Sequence, residues 1–586
     1  MKEEFNGPEQ YRPISMWGYF GYTCLFAIPV VGLILAIVWS FSDENINRRN
    51  FLLGSAAAAA VSGCMHGATP SRPRKDGEPL NVACVGYGMQ MWSALLPQLV
   101  GTNSGIGGEV ASTYSLPDLC RVTMVCDCDK IRAQTGAKHV DEEYAKRAAE
   151  VKAGKAFVKD ANWPQPACRW CTDFRDVIKD PSIDLVVIAT PDHWHTYIAV
   201  ECMKAGKDVY CEKPLTYNVD EARKIIAAQA KYGRIFQCGS MQRSWEVFRT
   251  AVMVVRNGII GDVMYVDANY GTKGKLSGTS HPMRFWEDPA DAAKEGVHNP
   301  NVDWDMWLGP SMYRPYSNRL APADYENQNR PGVHNWYPMF WRFDDQTGLG
   351  YNGDWGAHHL DIAQWGLDED KGGPYRVIRS EEPYSTDLYH GGRRQWGMKM
   401  LFRKPYGDVE LYHGPFGVWG TVFYGTKGVV AVNRGKIAVW RGGLVKPSAE
   451  VRKGLDELQN VAGLELVAGY TGKDYGTDAA VKKDAGLEGT IAKIVKEFDL
   501  DNAKVQLYKS PNQVRNFVDC AVSRQPTISP AEVGARGAVL CQLCNMSYVY
   551  DTGFDWDPVK MDFANGTGKG ISLKRDFCRN GWEVVV

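Results

Sequence analysis

Three kinds of hydrophobic pattern follow one another along the chain. From Met16 to Trp39 the residues form one apolar run, MWGYFGYTCLFAIPVVGLILAIVW, inside a stretch from Pro13 to Ser42 that carries no charge. A helix of that length spans about 30 Å of hydrocarbon. Trp17, Tyr19, Tyr22 and Trp39 fall near its ends, as interfacial aromatics do. The pattern predicts a transmembrane helix over about residues 16–40, within a membrane segment 1–46.

From Asn81 onward the pattern changes to short apolar runs of strand length separated by helical spacing. Val82–Val85 leads into Gly86-Tyr87-Gly88 and an apolar helix; a second strand covers Arg121–Cys126. SIDLVVIATPDHWHTYIAVECMKAGKDVYCEKPLTYNVDEARKIIAAQAKYG then gives strand, turn, helix, short strand and helix. Alternation of this kind predicts an α/β domain with a parallel sheet over 81–240.

Beyond Gln237 the third pattern takes over. VMYVDANYG, QWGMKMLFRK, DVELYHG, GVWGTVFYGTKGVVAVN and KIAVWRGG alternate or turn as strands do. They predict an α+β domain over 241–586 built on a mostly antiparallel open sheet, with helices before and around Asp354 packed on it. A helix over Glu532–Tyr550 and a closing tail complete the chain. No internal repeat is visible, and Ala56–Ala60 is the one low-complexity tract.

Composition narrows the partners. Lys plus Arg number 67 and Asp plus Glu 68, a net charge of −1, so no long-range positive field exists to gather a nucleic acid. The 15 cysteines are scattered and odd in number; packing accounts for most, and an occasional disulfide is expected. Cys168/Cys171 and Cys541/Cys544 have C-x-x-C spacing but lie too far apart in sequence for a double zinc knuckle.

Directly after the apolar segment, Arg48-Arg49, the apolar run Phe51–Val61 and the small-residue site ending in Cys64 resemble a twin-arginine export signal with a lipoprotein cleavage site. Its place behind a spanning helix leaves three readings: a membrane hairpin, a mature protein lipid-anchored at Cys64, or a fused extension over the first 46 residues. All three put the chain beyond about residue 65 on the exported side, attached through the helix or a lipid. Residues 47–80 are thus signal and linker.

The candidate chemistry begins at Gly86-Tyr87-Gly88. A strand, a glycine turn and a helix N-terminus offer backbone N–H groups to a pyrophosphate, although the third glycine of G-x-G-x-x-G is Met91 here. Asp127, at the end of the second strand, is placed to accept hydrogen bonds from an adenosine ribose and to repel a 2'-phosphate, which favours NAD over NADP. The insertion Thr102–Leu119 lengthens its separation from the glycines.

I-A-T-P-D-H-W-H, A-G-K-D-V-Y-C-E-K-P and N-G-D-W-G-A-H-H-L-D-I-A-Q-W together resemble the Gfo/Idh/MocA oxidoreductases, NAD(P)-dependent sugar and cyclitol dehydrogenases. The resemblance runs from about Asn81 to the C-terminal DFCRNGWEV. It implies that Lys213 holds the substrate hydroxyl beside the nicotinamide, that Glu212 contacts the nicotinamide ribose, and that Thr190, Pro191 and His195 line the cofactor channel. Lys213 itself is implied as part of the cofactor site as well as catalytic, since an ammonium there can stabilise alkoxide character as hydride leaves. His193 and His195 follow a T-P turn and lack a matching carboxylate, so no metal site is read there.

Asp354 and His358 are four residues apart in a helical pattern and project from one face. That geometry suits a carboxylate orienting an imidazole that accepts a hydroxyl proton. His359, about 100° round the helix, is read as structural. Leu276–Arg330 and Val445–Lys509 are long insertions for such a protein. The first is rich in Trp286, Trp304, Trp307, Tyr313 and Tyr316, which suits either stacking on a sugar or a loop packed by its own rings.

The reading that results is an exported, membrane-associated, NAD-dependent oxidoreductase acting on a carbohydrate or cyclitol hydroxyl, with homo-oligomerisation left open. Two alternatives stand beside it. One is an NAD-dependent glycosidase working by oxidation, elimination, addition and reduction; the other is a non-catalytic sugar or nucleotide sensor, against which intact Lys213, Asp354 and His358 argue.

Overall fold

The computed structural model describes residues 78–100, 119–154, 166–269, 299–317, 320–321, 341–342, 344–350, 352–379, 398–414, 417–472, 484–510, 512–579 and 581–586. The expected transmembrane helix, the Arg48-Arg49 signal and most of the linker lie outside the described residues. Among the described residues no helix is long and apolar enough to cross a membrane.

The first sheet contains β1 (Leu80–Val85), β2 (Cys120–Cys126), β3 (Arg169–Cys171), β4 (Leu185–Ile188), β5 (Asp208–Cys211) and β6 (Phe236–Cys238). They are all parallel and run in the order β3-β2-β1-β4-β5-β6, the arrangement of a Rossmann domain. Period-two side-chain direction sorts each strand between two cores. Val82, Cys84, Leu185, Val187 and Tyr210 join one apolar cluster, while Ala83, Val85, Val186, Ile188, Val209 and Cys211 join the other. Burial on both faces explains why these strands are near-continuous apolar runs in the sequence.

The connecting helices are α1 (Leu96–Val100), α2 (Lys130–Lys152), α3 (Phe174–Lys179), α4 (Asp192–Lys204) and α5 (Val219–Tyr232). Local sequence fixes the ends of α5. Asn218 Oδ1 accepts from the Glu221 N–H at 2.9 Å while the Asn218 amide donates to Glu221 Oε1 at 2.9 Å, a reciprocal cap. Gly233, at φ 59°, stops the helix in the left-handed region.

The second sheet has ten strands: β7 (Val263–Asn269), β8 (Arg376–Ile378), β9 (Met398–Lys404), β10 (Gly407–Gly414), β11 (Thr421–Gly425), β12 (Gly428–Asn433), β13 (Lys436–Gly442), β14 (Leu464–Thr471), β15 (Phe554–Asp557) and β16 (Asp562–Phe563). Its order is β14-β13-β12-β11-β7-β10-β9-β8-β15-β16, antiparallel throughout except for β7 beside β10. The sequence did not signal β15 and β16, which lie in what reads as a closing tail; Trp556 and Phe563 pair across them and pack edge to face.

Among the described residues the helices after the first sheet are α6 (Glu246–Arg256), α7 (Trp304–Leu308), α8 (Ala357–Gly366), α9 (Ala449–Asp456), α10 (Ala485–Glu497), α11 (Gln513–Ser523) and α12 (Ala531–Val549). α12 is the hinge piece of the packing, touching α5 and α8 at once. Phe423, Val430, Val432, Ile437 and Val439 turn one face of the second sheet towards the cluster that holds α6, α8 and α12. The opposite face carries Val422, Tyr424, Val429, Ala431, Ala438 and Trp440, which bury against Leu455 of α9. α11 returns to the Rossmann sheet, where Val514, Phe517 and Val518 bury beside Val82 and Tyr210, so the first layer is completed by residues far down the chain.

The structure corrects one expectation from the cysteine pattern. Every described cysteine is free, Cys168, Cys171, Cys541 and Cys544 included. Most are buried as small apolar groups in the sheets and α12. It also resolves part of the aromatic insertion: Trp304 and Trp307 stack on each other at 4.8 Å, with Tyr316 edge-on to Trp304, so these rings pack the loop itself. Trp286 lies outside the described residues.

Candidate functional site

The C-terminal ends of β1, β2, β4 and β5 converge on one edge of the Rossmann sheet. Gly86 donates its N–H to Cys126 O at 2.8 Å with φ 86°, and a Cβ there would sit 2.8 Å from the Ala189 carbonyl. Only glycine allows the turn to close on the neighbouring strand. Over Gly88 there is open space, with no atom within 4 Å of where a Cβ would be. Thr190 Oγ1, buried a few residues past β4, has no hydrogen-bond partner among the described residues. An open backbone cradle beside an orphaned hydroxyl fits a dinucleotide pyrophosphate and its ribose.

Asp127 lies at this edge but is already engaged. Its Oδ2 accepts from the Tyr87 N–H at 2.7 Å and its Oδ1 from the Asp129 N–H at 2.9 Å, so it ties the glycine turn to β2. Burial pushes its carboxyl up to about 6, against the pull of Arg132 and of these N–H groups. Each oxygen keeps lone-pair capacity for a ribose hydroxyl.

Glu212 is buried at the end of β5. Its carboxylate accepts from the Gln90 amide at 3.1 Å, from the Lys213 N–H at 3.2 Å and from the Tyr210 hydroxyl at 3.4 Å. Gln90, which no sequence motif marks out, thus links the glycine turn to the E-K-P motif. Pro191 caps α4.

His195 does not line a channel through its ring. Both nitrogens face backbone carbonyls, Pro214 O at 2.8 Å and Thr190 O at 2.9 Å, and the side chain is buried. It braces the Thr190 turn against the chain after Lys213. His193 is used likewise, against Thr347 O at 3.3 Å and Trp307 O at 3.0 Å.

Lys213 reaches across to Asp354. Its ammonium donates to Asp354 Oδ1 at 2.8 Å and to the Asp354 carbonyl at 3.0 Å. Arg342 adds a second cation, donating from Nε to the same Oδ1 at 3.2 Å, with its guanidinium 4.5 Å over the Trp341 ring. Burial would raise the Asp354 carboxyl, but Lys213 and Arg342 outweigh it and hold the group well below the usual carboxylate range.

The expected pairing of Asp354 with His358 is not what the chain forms. Residues Asn352–Gly356 make a π turn and α8 begins only at Ala357. The wider turn takes residues four apart off a common face, so Asp354 sides with Lys213 and leaves His358 Nδ1 buried without a partner among the described residues. His358 lies edge-on to Trp355 at 5.9 Å. Burial, then Lys213, Arg434, His359 and Arg342, push its imidazole well below the ordinary histidine value, so the ring is neutral. His359 is structural as expected: it meets Asn269 O through Nδ1, and its carbonyl accepts from Thr421 Oγ1 at 3.2 Å.

Two further residues belong to the cluster, one inside the I-A-T-P-D-H-W-H motif but given no role by the sequence reading, the other outside every motif. Asp192, buried at the start of α4, accepts from the Leu349 N–H at 3.1 Å, and burial pushes it up to about 7 despite Arg342 and Lys213. Arg434, also buried, lays its guanidinium 4.8 Å over Trp355.

Residues 97–240 match the sequence profile of an oxidoreductase family, GFO_IDH_MocA, described by its NAD-binding Rossmann fold. The match is confined to part of the Rossmann domain, where the chain is similar to that family. The matched stretch includes Thr190, Glu212 and Lys213 and begins after the glycine turn, whose assignment therefore rests on its geometry. An inositol 2-dehydrogenase of Rhodococcus jostii is 31% identical over 137 residues, covering 23% of this chain and 34% of that protein. A glycosyl hydrolase family 109 protein of Shewanella baltica strain OS185 is 26% identical over 300 residues, covering 48% of this chain and 58% of that one. Among the first such relatives the chain spans from 26% to 58% of their length. A levoglucosan dehydrogenase solved in complex with NADH and levoglucosan aligns over 82% of this chain and 99% of its own, with 16% identity and a TM-score of 0.46.

Proposed function

We propose that this protein is a nicotinamide-dependent oxidoreductase that removes a hydride from a hydroxyl-bearing carbon of a small carbohydrate or cyclitol. The observation that carries the proposal is the bond of 2.8 Å between Lys213 of the E-K-P motif and Asp354, which sets the Rossmann edge against the second domain's π turn. NAD, when bound, supplies the hydride acceptor; Gly86, Gly88, Asp127, Thr190 and Glu212 are the residues that would hold it.

The chain's own groups divide the rest of the work. Asp354 takes two of the bonds that the Lys213 ammonium makes among the described residues, which leaves the third N–H for a substrate oxygen. Donation there stabilises negative charge as it grows on that oxygen. His358, neutral and with Nδ1 unpartnered among the described residues, accepts the hydroxyl proton. Export and membrane attachment through the N-terminal segment remain part of the proposal, and cell fractionation with an antibody to the chain tests them.

A panel of cyclitols and free sugars with NAD, followed by formation of reduced nicotinamide, tests the reaction. Turnover by the wild type and its loss in Lys213→Ala are expected; a wild type inert on the whole panel contradicts it. The glycosidase alternative is supported by the 300-residue similarity to the family 109 protein. It predicts release of aglycone from aryl glycosides without net reduced nicotinamide.

A further inference from the structure

Cations crowd the proposed proton acceptor. Lys213, Arg342 and Arg434 all act on the His358 imidazole. Among the described residues, the carboxylates that interact with Lys213 or Arg342 are Asp354, Asp192 and Glu212. Asp354 is ionised but already shared between Lys213 and Arg342. Asp192 is buried and engaged by the Leu349 N–H, and Glu212 is turned towards Gln90 and Tyr210. A hydroxyl proton arriving at His358 would therefore place one more positive charge beside three, in a place with little water to screen it. That step becomes easier when the substrate itself brings a negative charge.

Arg342 is built to receive one. It uses Nε for Asp354 and the face of its guanidinium for Trp341. Among the described residues its two terminal nitrogens make no hydrogen bond. Its side chain is also more open, at 19% exposed, than Lys213 and Asp354 at 12% each. The planar fork that remains matches a carboxylate, which can accept two parallel N–H groups. Arg434, held against Trp355 and Trp245, adds positive potential at His358.

Resting on the oxidoreductase reading, we infer that the substrate is an anionic sugar bearing a carboxylate, and that the terminal nitrogens of Arg342 bind that carboxylate while Lys213 and His358 engage the reacting hydroxyl. The ion pair with Asp354 holds Arg342 in place for this.

The test compares matched pairs with the full chain and NAD: glucose with glucuronate, galactose with galacturonate, mannose with mannuronate. For at least one pair kcat/KM favours the uronate by about tenfold or more, the scale of one charge-assisted hydrogen bond. In Arg342→Gln that ratio collapses towards one, mainly through the uronate KM, and Arg342→Lys recovers part of it. Circular dichroism and thermal unfolding check that both variants fold. Neutral sugars preferred in every pair, or a uronate preference untouched in Arg342→Gln, overturns the inference and leaves the oxidoreductase reading standing. If no sugar of either kind turns over, the oxidoreductase reading fails instead. Calorimetric binding of the same pairs then decides the inference, with tighter uronate binding lost in Arg342→Gln for it and equal binding against it.

Discussion

Lys213 Nζ and Asp354 Oδ1 lie 2.8 Å apart although 141 positions separate the two residues in the chain. The lysine leaves the C-terminal edge of a parallel sheet, and the aspartate sits on a π turn beneath an antiparallel one. Their bond joins the edge of the first sheet to the π turn over Asn352–Gly356, the meeting point on which the proposed site rests.

Removing the ammonium should therefore cost catalysis more than binding. Lys213→Ala is expected to lower turnover by about a hundredfold or more and to leave NAD affinity within about threefold of the wild type. Steady-state kinetics beside fluorescence titration of the dinucleotide separates the two effects. Turnover equal to the wild type would remove Lys213 from the chemistry.

Adjacent histidines should behave in opposite ways. His358→Ala is expected to abolish most turnover while the fold stays stable, because Nδ1 makes no bond among the described residues. His359→Ala removes the bond to Asn269 O inside the core and should destabilise the protein by about 2 kcal/mol or more. Denaturant unfolding and activity on the two variants check the contrast; equal effects on both quantities would refute it.

Cofactor choice should depend on pH. Burial pushes Asp127 up to about 6, so its carboxylate is mostly ionised above about pH 7 and increasingly protonated below its own value. Repulsion of a 2'-phosphate needs the charged form. NAD is expected to bind better than NADP above about pH 7, with the gap narrowing as pH falls through about 6, and Asp127→Asn should narrow it throughout. Equal affinity of the wild type for both cofactors in alkaline buffer would count against this role.

Asp192 gives a stability signature of known sign. Its ordinary value is 3.8 and burial raises it to about 7 in the folded protein. Between those values the folded state holds a proton that the unfolded state has lost, so this group's contribution to stability declines as pH rises across the window. Asp192→Asn keeps an acceptor for the Leu349 N–H and removes the titration. The variant should gain on the wild type steadily from about pH 4 to about pH 7 in urea unfolding. A difference independent of pH would show that Asp192 does not titrate there.

The legible part of this protein was whatever depends on local pattern. Runs such as Leu185–Ile188 announced buried parallel strands because both faces are covered, and the alternation of β9 to β13 announced a second sheet. Gly86 and Lys213 carried the motif context that pointed to the candidate site. What stayed hidden depends on tertiary placement. Asp354 and His358 have ideal helical spacing, yet the π turn over Asn352–Gly356, which nothing in the spacing reveals, sends the carboxylate to Lys213. His195 stands in a motif but has both ring nitrogens drawn off by backbone carbonyls. Arg342 and Arg434 come to act on His358, and Asp192 on Arg342 and Lys213, only after distant segments fold together. β15 was missed because a four-residue strand beside turns carries too little periodicity to stand out.

Isotope transfer addresses the central claim most directly. A sugar or cyclitol deuterated at the carbinol carbon is incubated with the full chain and NAD, and the reduced nicotinamide is isolated and analysed by mass spectrometry. If Lys213, Asp354 and His358 serve hydride removal, the label appears in the dinucleotide with the wild type and is lost with Lys213→Ala. Product formed while the dinucleotide stays unlabelled, or labelling undiminished in the variant, would contradict the account.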